Sequence, residues 1–133
     1  MSNKTHYNEM NVLSMHALIG AYQPQGYEWV DELNQVLADN IEYFCDYVDE
    51  HFEGVSYSRP QGTYMVFLDC TEWCREHGRD IQWLLDEGAR VGVGYQDGRP
   101  FHGPCHIRVN LALPLSRVRE ACDRLDRYVF NAR

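Results

Sequence analysis

The chain has 133 residues, of which 44% are hydrophobic and 13% aromatic; that is enough apolar material for one core-forming domain and excludes a disordered segment. Twelve Lys and Arg against twenty Asp and Glu give a formal charge of -8, which argues against nucleic acid or an anionic membrane as partner, because phosphate binding needs a positive field. No run reaches the roughly 18 apolar residues of a membrane span; five cysteines at irregular spacing and the absence of an apolar leader predict a reducing, cytoplasmic setting.

In chain order, residues 1–10 read as a tail or linker and 11–133 as the domain. Val12, Leu13, Met15, Leu18, Ile19 and Tyr22 predict a helix over 11–22, broken by Gln23-Pro24-Gln25-Gly26. A longer helix is predicted over 27–52. Its stripe of Trp29, Val30, Leu33, Val36, Leu37, Ile41, Phe44, Val48 and Phe52 should face a core, and Gly54 should stop it. Val55 to Ser58 reads as a short strand, and Arg59-Pro60-Gln61-Gly62 as a turn. Thr63 to Leu68 reads as a central strand buried on both faces, ended by Asp69.

Thr71 to His77 predicts a short helix closed by Gly78. Asp80 should cap a further helix that ends near Glu87, with Gly88 just beyond it. Val91-Gly92-Val93-Gly94-Tyr95 is strand-like, and Gln96 to Pro104 is a loop. From Cys105 to Ala112 the sequence alternates: Ile107, Val109 and Leu111 on one face, His106, Arg108 and Asn110 on the other. Ser116 is the expected cap of a last helix with the stripe Val118, Cys122, Leu125, Val129. The order α-α-β-β-α-α-β-β-α predicts an α/β (α+β) two-layer sandwich, a small sheet with helices packed on one face.

Arg108 carries the most chemical information. A guanidinium projecting from a stiff strand can hold a carboxylate through two parallel hydrogen bonds, although an arginine on a solvated sheet face would have the same spacing. The single lysine is Lys4, so chemistry that needs a lysine nucleophile must use Lys4 or a residue elsewhere.

The stretch from Gly88-Ala89-Arg90-Val91-Gly92-Val93 through Cys105-His106-Ile107-Arg108-Val109-Asn110-Leu111-Ala112-Leu113-Pro114 resembles the closing segment of class I/II aminotransferases, nearest the cystathionine β-lyase-like branch. Gln61-Gly62-Thr63-Tyr64 before an apolar strand and Asp69 is similar to the family's Gly-Thr-Tyr strand start. Ala21-Tyr22 with Gly26, Trp29, Asp31, Leu33 and Asn40 resembles its long helix. Together these motifs span about residues 11 to 131, and it is their shared order that carries the likeness.

The resemblance implies the C-terminal small domain of the fold-type I pyridoxal-phosphate transferase fold. It implies that Arg108 binds the α-carboxylate of an amino-acid substrate, and that pyridoxal 5'-phosphate is held mainly by a large domain outside this chain. The expected parent is a homodimeric aminotransferase, or in the alternative a C–S β-lyase. The fragment itself is expected to be inactive, with no catalytic, cofactor-binding or metal-binding residue of its own. The loop Val93 to Phe101 departs from the family's Pro-Gly and Phe-Gly steps, so neither Tyr95 nor Phe101 takes a role from the resemblance. A reading outside the enzymes also stands: a free-standing α/β module for a small anion or a protein partner.

Other groupings read as structural. His102, Cys105 and His106, or Cys70 with Cys74, lack the paired spacing of a zinc site. No position marks Cys105 as a nucleophile activated by His102 or His77. Asp69 and Glu72 suit a strand end and a helix start rather than an acid/base pair. Gly92, Gly94 and Gly98 precede no helix that would make them a phosphate loop.

Overall fold

The computed structural model describes residues 11–132. Lys4 and the predicted tail over 1–10 lie outside the described residues. The chain divides into two compact units between Gln35 and Val36.

In the first unit, α1 (Val12–Ala21) starts where Asn11 accepts the Ser14 N–H at 2.8 Å, so a side chain satisfies one of the free donors of the first turn. The next helix, α2 (Pro24–His51), begins three residues before the predicted start. Proline at a first helical position lacks only a hydrogen that would be unpaired there anyway, so the predicted breaker is a start signal. Gly26 is required, because a Cβ at that position would run into the Ala21 carbonyl. The expected core stripe is not buried here: Val12, Leu13, Leu18, Ile19, Trp29 and Val30 are exposed.

In the second unit, the remainder of α2 buries Asn40, Phe44, Cys45 and Val48. Strands β1 (Ser56–Tyr57) and β2 (Met65–Asp69) follow, then α3 (Thr71–His77) and α4 (Ile81–Arg90), β3 (Gln96–Asp97), β4 (His106–Asn110) and α5 (Leu115–Leu125). Among the described residues the sheet runs β1-β2-β4-β3, every neighbouring pair antiparallel. Strand register places Leu68 opposite Ile107 and Val66 opposite Val109, and this face is buried. It packs with Phe44, Trp73, Leu84, Val118 and Leu125 from the helices. Each such aliphatic side chain contributes on the order of 1.5–3 kcal/mol by leaving water. The helices of this second unit therefore lie on one face of its sheet, and the other face keeps Met65, Phe67, Asp69, His106 and Arg108 half-buried.

Several boundaries differ from the sequence reading. β2 alternates buried and half-buried residues instead of being buried on both sides, and Asp69 belongs to it. Gly88 lies inside α4, not beyond its end, and is a glycine where the ring of Tyr95 occupies the space a Cβ would need. Val91 to Tyr95 forms no strand, and β3 instead lies in the predicted loop. The cap of α5 is Pro114 rather than Ser116. The stripe Val118, Cys122, Leu125, Val129 is buried throughout, and the chain closes on a wider turn over Asp126–Phe130.

Asn40 pins the end of β4. Its amide donates to the carbonyls of Leu111 and Leu113, both at 2.8 Å, while its Oδ1 is buried without a hydrogen-bond partner among the described residues. Strand alternation ends where Asn110 Oδ1 accepts the Ala112 N–H at 2.8 Å, a local turn that competes with the ladder.

Candidate functional site

Arg108 occupies the middle of β4, opposite Phe67 on one side and Gln96 on the other. Because paired residues share a face, its side chain leaves the sheet away from the helices. Both of its strand neighbours, Ile107 and Val109, are buried in the core, which holds the backbone beneath it.

The guanidinium lines a cavity of about 300 Å³ together with Thr63, Met65, Val66, Phe67 and Phe101. The Phe101 ring covers it, with 3.8 Å between the guanidinium carbon and the ring centroid. Nη2 of Arg108 donates to the Met65 sulfur at 3.0 Å, a weak acceptor. No carboxylate among the described residues lies in ion-pair range of Arg108. A half-buried cation without a counter-ion is costly to keep, and an anion from outside would relieve that cost.

The loop that carries Phe101 is closely tied. Asp97 accepts the Arg99 backbone N–H at 2.9 Å and its Nε at 2.8 Å, and Arg99 Nη2 donates to Gln82 at 2.9 Å. The hydrogen bonds from Arg99, side chain before backbone, hold the Asp97 carboxyl below the usual carboxylate range. A single 3-10 turn, Arg99–Phe101, follows with Pro100 within it, and His102 reverses the chain at φ 63°. Gly98 N–H donates to the His106 carbonyl at 2.8 Å and Gly103 N–H to the Gly98 carbonyl at 3.1 Å, so the loop is fastened to β4 itself. A Cβ at Gly103 would collide with Phe67 and His106.

The other sequence candidates fall elsewhere. His106 is on the Arg108 face, 3.8 Å from the Asp69 carboxylate and packed against Phe67 with ring centroids 4.6 Å apart. Burial raises the Asp69 carboxyl, but hydrogen bonds from the Thr71 hydroxyl and N–H, helped by His106, outweigh it and leave the pKa lowered. Cys70 and Cys74 are buried, and burial pushes both thiols up, Cys74 to about 12. No group of three His, Cys, Asp or Glu side chains among the described residues converges as a metal site does. Tyr95 does not reach the Arg108 cavity; its hydroxyl donates to the Leu84 carbonyl. Sequence reasoning missed Met65, counted only as an apolar strand residue, and left Phe101 without a role. The pairing of Met65 with Asn110 across the strands, beside the Phe67 and Arg108 pair, could not be read before the register was known.

Residues 6–125 match the family described as Aminotransferase class I and II. A relative from Mycobacterium leprae (strain TN), named "Putative cystathionine beta-lyase", is 35% identical over 124 residues, covering 81% of this chain and 30% of its own length. The PLP-bound C-S lyase from Staphylococcus hominis superposes with a TM-score of 0.76 at 24% identity, covering 87% of this chain and 30% of that one. Cystalysin from Treponema denticola, which contains a pyridoxal 5'-phosphate cofactor, gives 0.75 at 23% identity, covering 87% and 29%. The chain thus spans about 30% of the length of these relatives. The sandwich with Arg108 on its open face is the PLP-dependent transferase fold at C-terminal-domain size, and the chain belongs to the class I and II aminotransferase family, with cystathionine beta-lyase-like relatives.

Proposed function

We propose that this chain is the C-terminal small domain, residues 11–133, of a pyridoxal-phosphate enzyme acting on an amino acid, and that Arg108 binds the substrate α-carboxylate. The observation that carries the reading is the half-buried guanidinium of Arg108, fixed on a strand and facing a cavity without a carboxylate partner among the described residues. A carboxylate lying in the guanidinium plane would accept two parallel hydrogen bonds. The apolar wall of Met65, Phe67 and Phe101 would exclude water and strengthen them.

These residues fit the substrate rather than the cofactor. No described residue is a lysine, so the amine that binds pyridoxal phosphate is supplied from outside residues 11–132. When bound in the parent, the cofactor supplies an electron sink for charge that develops at the substrate Cα. The part played by this domain is to hold the carboxylate and so orient the Cα bonds. The exposed apolar side chains Leu13, Ile19, Trp29 and Val30 support a large cofactor-binding domain as the packing partner, and a cytoplasmic homodimer is the expected assembly. Alone, the chain is inactive.

The test is a titration of the isolated chain with pyridoxal phosphate followed by borohydride. No stable stoichiometric adduct is expected on the chain, and one trapped specifically on Lys4, its single lysine, would overturn the division of labour. Between the two chemistries, the name of the 35%-identical relative favours C–S β-elimination over transamination. An assay of the parent separates them: C–S elimination, with water, yields a thiol, ammonia and a 2-oxo acid from one substrate, whereas transamination needs an oxo-acid acceptor.

A further inference from the structure

Phe101 is 48% exposed and does not belong to the buried core, yet its position is fixed. Arg99 on its own turn is tied to Asp97 and Gln82, and Gly98 and Gly103 bracket the turn and fasten it to the backbone of β4. A half-exposed phenyl ring gains little from burial, so packing alone does not account for so much hydrogen bonding around it. What the arrangement does achieve is a ring lying 3.8 Å over the Arg108 guanidinium carbon. The negative face of the ring attracts the cation, and a ring, unlike a carboxylate, takes up none of its strong N–H hydrogen bonds. Met65 takes one Nη2 hydrogen at the rim through a sulfur that a carboxylate oxygen readily displaces.

Resting on the carboxylate reading of Arg108, we propose that Phe101 is a positioning residue: its ring stacks on the guanidinium and holds the fork in the plane that accepts a carboxylate edge-on. The role needs an aromatic face and not merely apolar bulk. Leucine at this position keeps the volume and loses the quadrupole, whereas tyrosine keeps the stacking. Since Phe101 lies outside the core cluster, neither change removes a core contact.

The test follows the Arg108 Nε–Hε resonance of the full chain by NMR, first without ligand and then in a titration with sodium acetate, with sodium chloride as the ionic-strength control. Without ligand, F101L should abolish a ring-current shift of that resonance that F101Y retains. With acetate, F101L should weaken binding roughly two- to fivefold, the order expected when a long side chain must be immobilised on binding instead of beforehand, while F101Y stays within about twofold of the parent chain. R108A should lose the acetate response altogether. If F101L keeps the resonance position and binds acetate like the parent chain while R108A does not, the role of Phe101 is overturned and the carboxylate reading stands. Equal weakening by F101L and F101Y also overturns it, since the aromatic face would then be irrelevant. If R108A binds acetate as well as the parent chain does, the carboxylate reading fails, and the role of Phe101 fails with it.

Discussion

Asn40 shows how one polar side chain in a core can govern a site it never touches. It lies 1% exposed on α2 and satisfies two carbonyls just beyond β4, the strand that presents Arg108. Replacing it with leucine removes both bonds; the Leu111 carbonyl keeps the Leu113 N–H at 2.8 Å, but the part-buried Leu113 carbonyl loses the Asn40 donor, so Asn40→Leu should cost about 1–3 kcal/mol in urea unfolding, above a typical surface change. Asp69 gives the pH-dependent counterpart. Its folded pKa is lowered, so its stabilising contribution is complete above the ordinary carboxylate range and is lost as pH falls through the depressed folded value. Thr71 supplies two of the responsible hydrogen bonds, the hydroxyl at 2.5 Å and the N–H at 2.9 Å. Thr71→Val removes only the hydroxyl bond at a partly exposed carboxylate and should cost about 0.5–1 kcal/mol near neutrality. In acid the difference from the parent chain should vanish, as denaturation curves at several pH values would reveal.

Among the elements, α4 and the segment after it are fitted to each other. Gly88 lies inside the helix, where glycine costs backbone entropy relative to alanine, and the Tyr95 ring fills the space above it. Helix propensity alone makes Gly88→Ala favourable; overpacking against a ring whose hydroxyl is tied to the Leu84 carbonyl makes it unfavourable. The steric effect is the larger, and Gly88→Ala should destabilise by about 1–3 kcal/mol. Combining it with Tyr95→Ala should restore part of that loss, which a double-mutant cycle would measure. The same packing explains why Val91 to Tyr95 is not a strand despite its alternation. Val93 N–H donates to the Gly88 carbonyl at 2.8 Å, so the segment is held to the helix end and reaches the sheet only at Gln96.

For the whole molecule, the distribution of thiols offers a direct check of the packing. All five cysteines are free; Cys45, Cys70, Cys74 and Cys122 are buried and Cys105 is half-buried. Burial pushes the Cys122 thiol up to about 12, and it raises Cys45 as well. A thiol reagent should therefore modify Cys105 in the native chain and the other four only on unfolding, a pattern read from mass spectra with and without denaturant. Rapid native labelling of Cys70 or Cys122 would contradict the placement of the helices on the sheet.

Much of the fold was legible because its signals are local. The alternation around Ile107, Val109 and Leu111, the stripe from Val118 to Val129 and the cap at Asp80 follow from periods of 2 and 3.6 and from one side-chain hydrogen bond, and each is realised. Arg108 was readable for the same reason, since strand parity alone assigns its face. Local signals failed where a distant neighbour decided the outcome: Gly88 within α4, the burial of only one face of β2, and the exposure of Trp29 and Val30 on an otherwise regular stripe. The surroundings of Arg108 were hidden in the same way. Met65 and Phe101 lie 43 and 7 residues from it in the chain, and only the strand register and the tied loop bring a sulfur and a ring onto one guanidinium. The sequence by itself determined the helical segments, the two longer strands and the face that β4 and α5 turn to the core, because backbone geometry sets those periods. Tertiary structure alone decided what each face meets, because contacts across the sheet depend on register and loop closure, which no local period encodes.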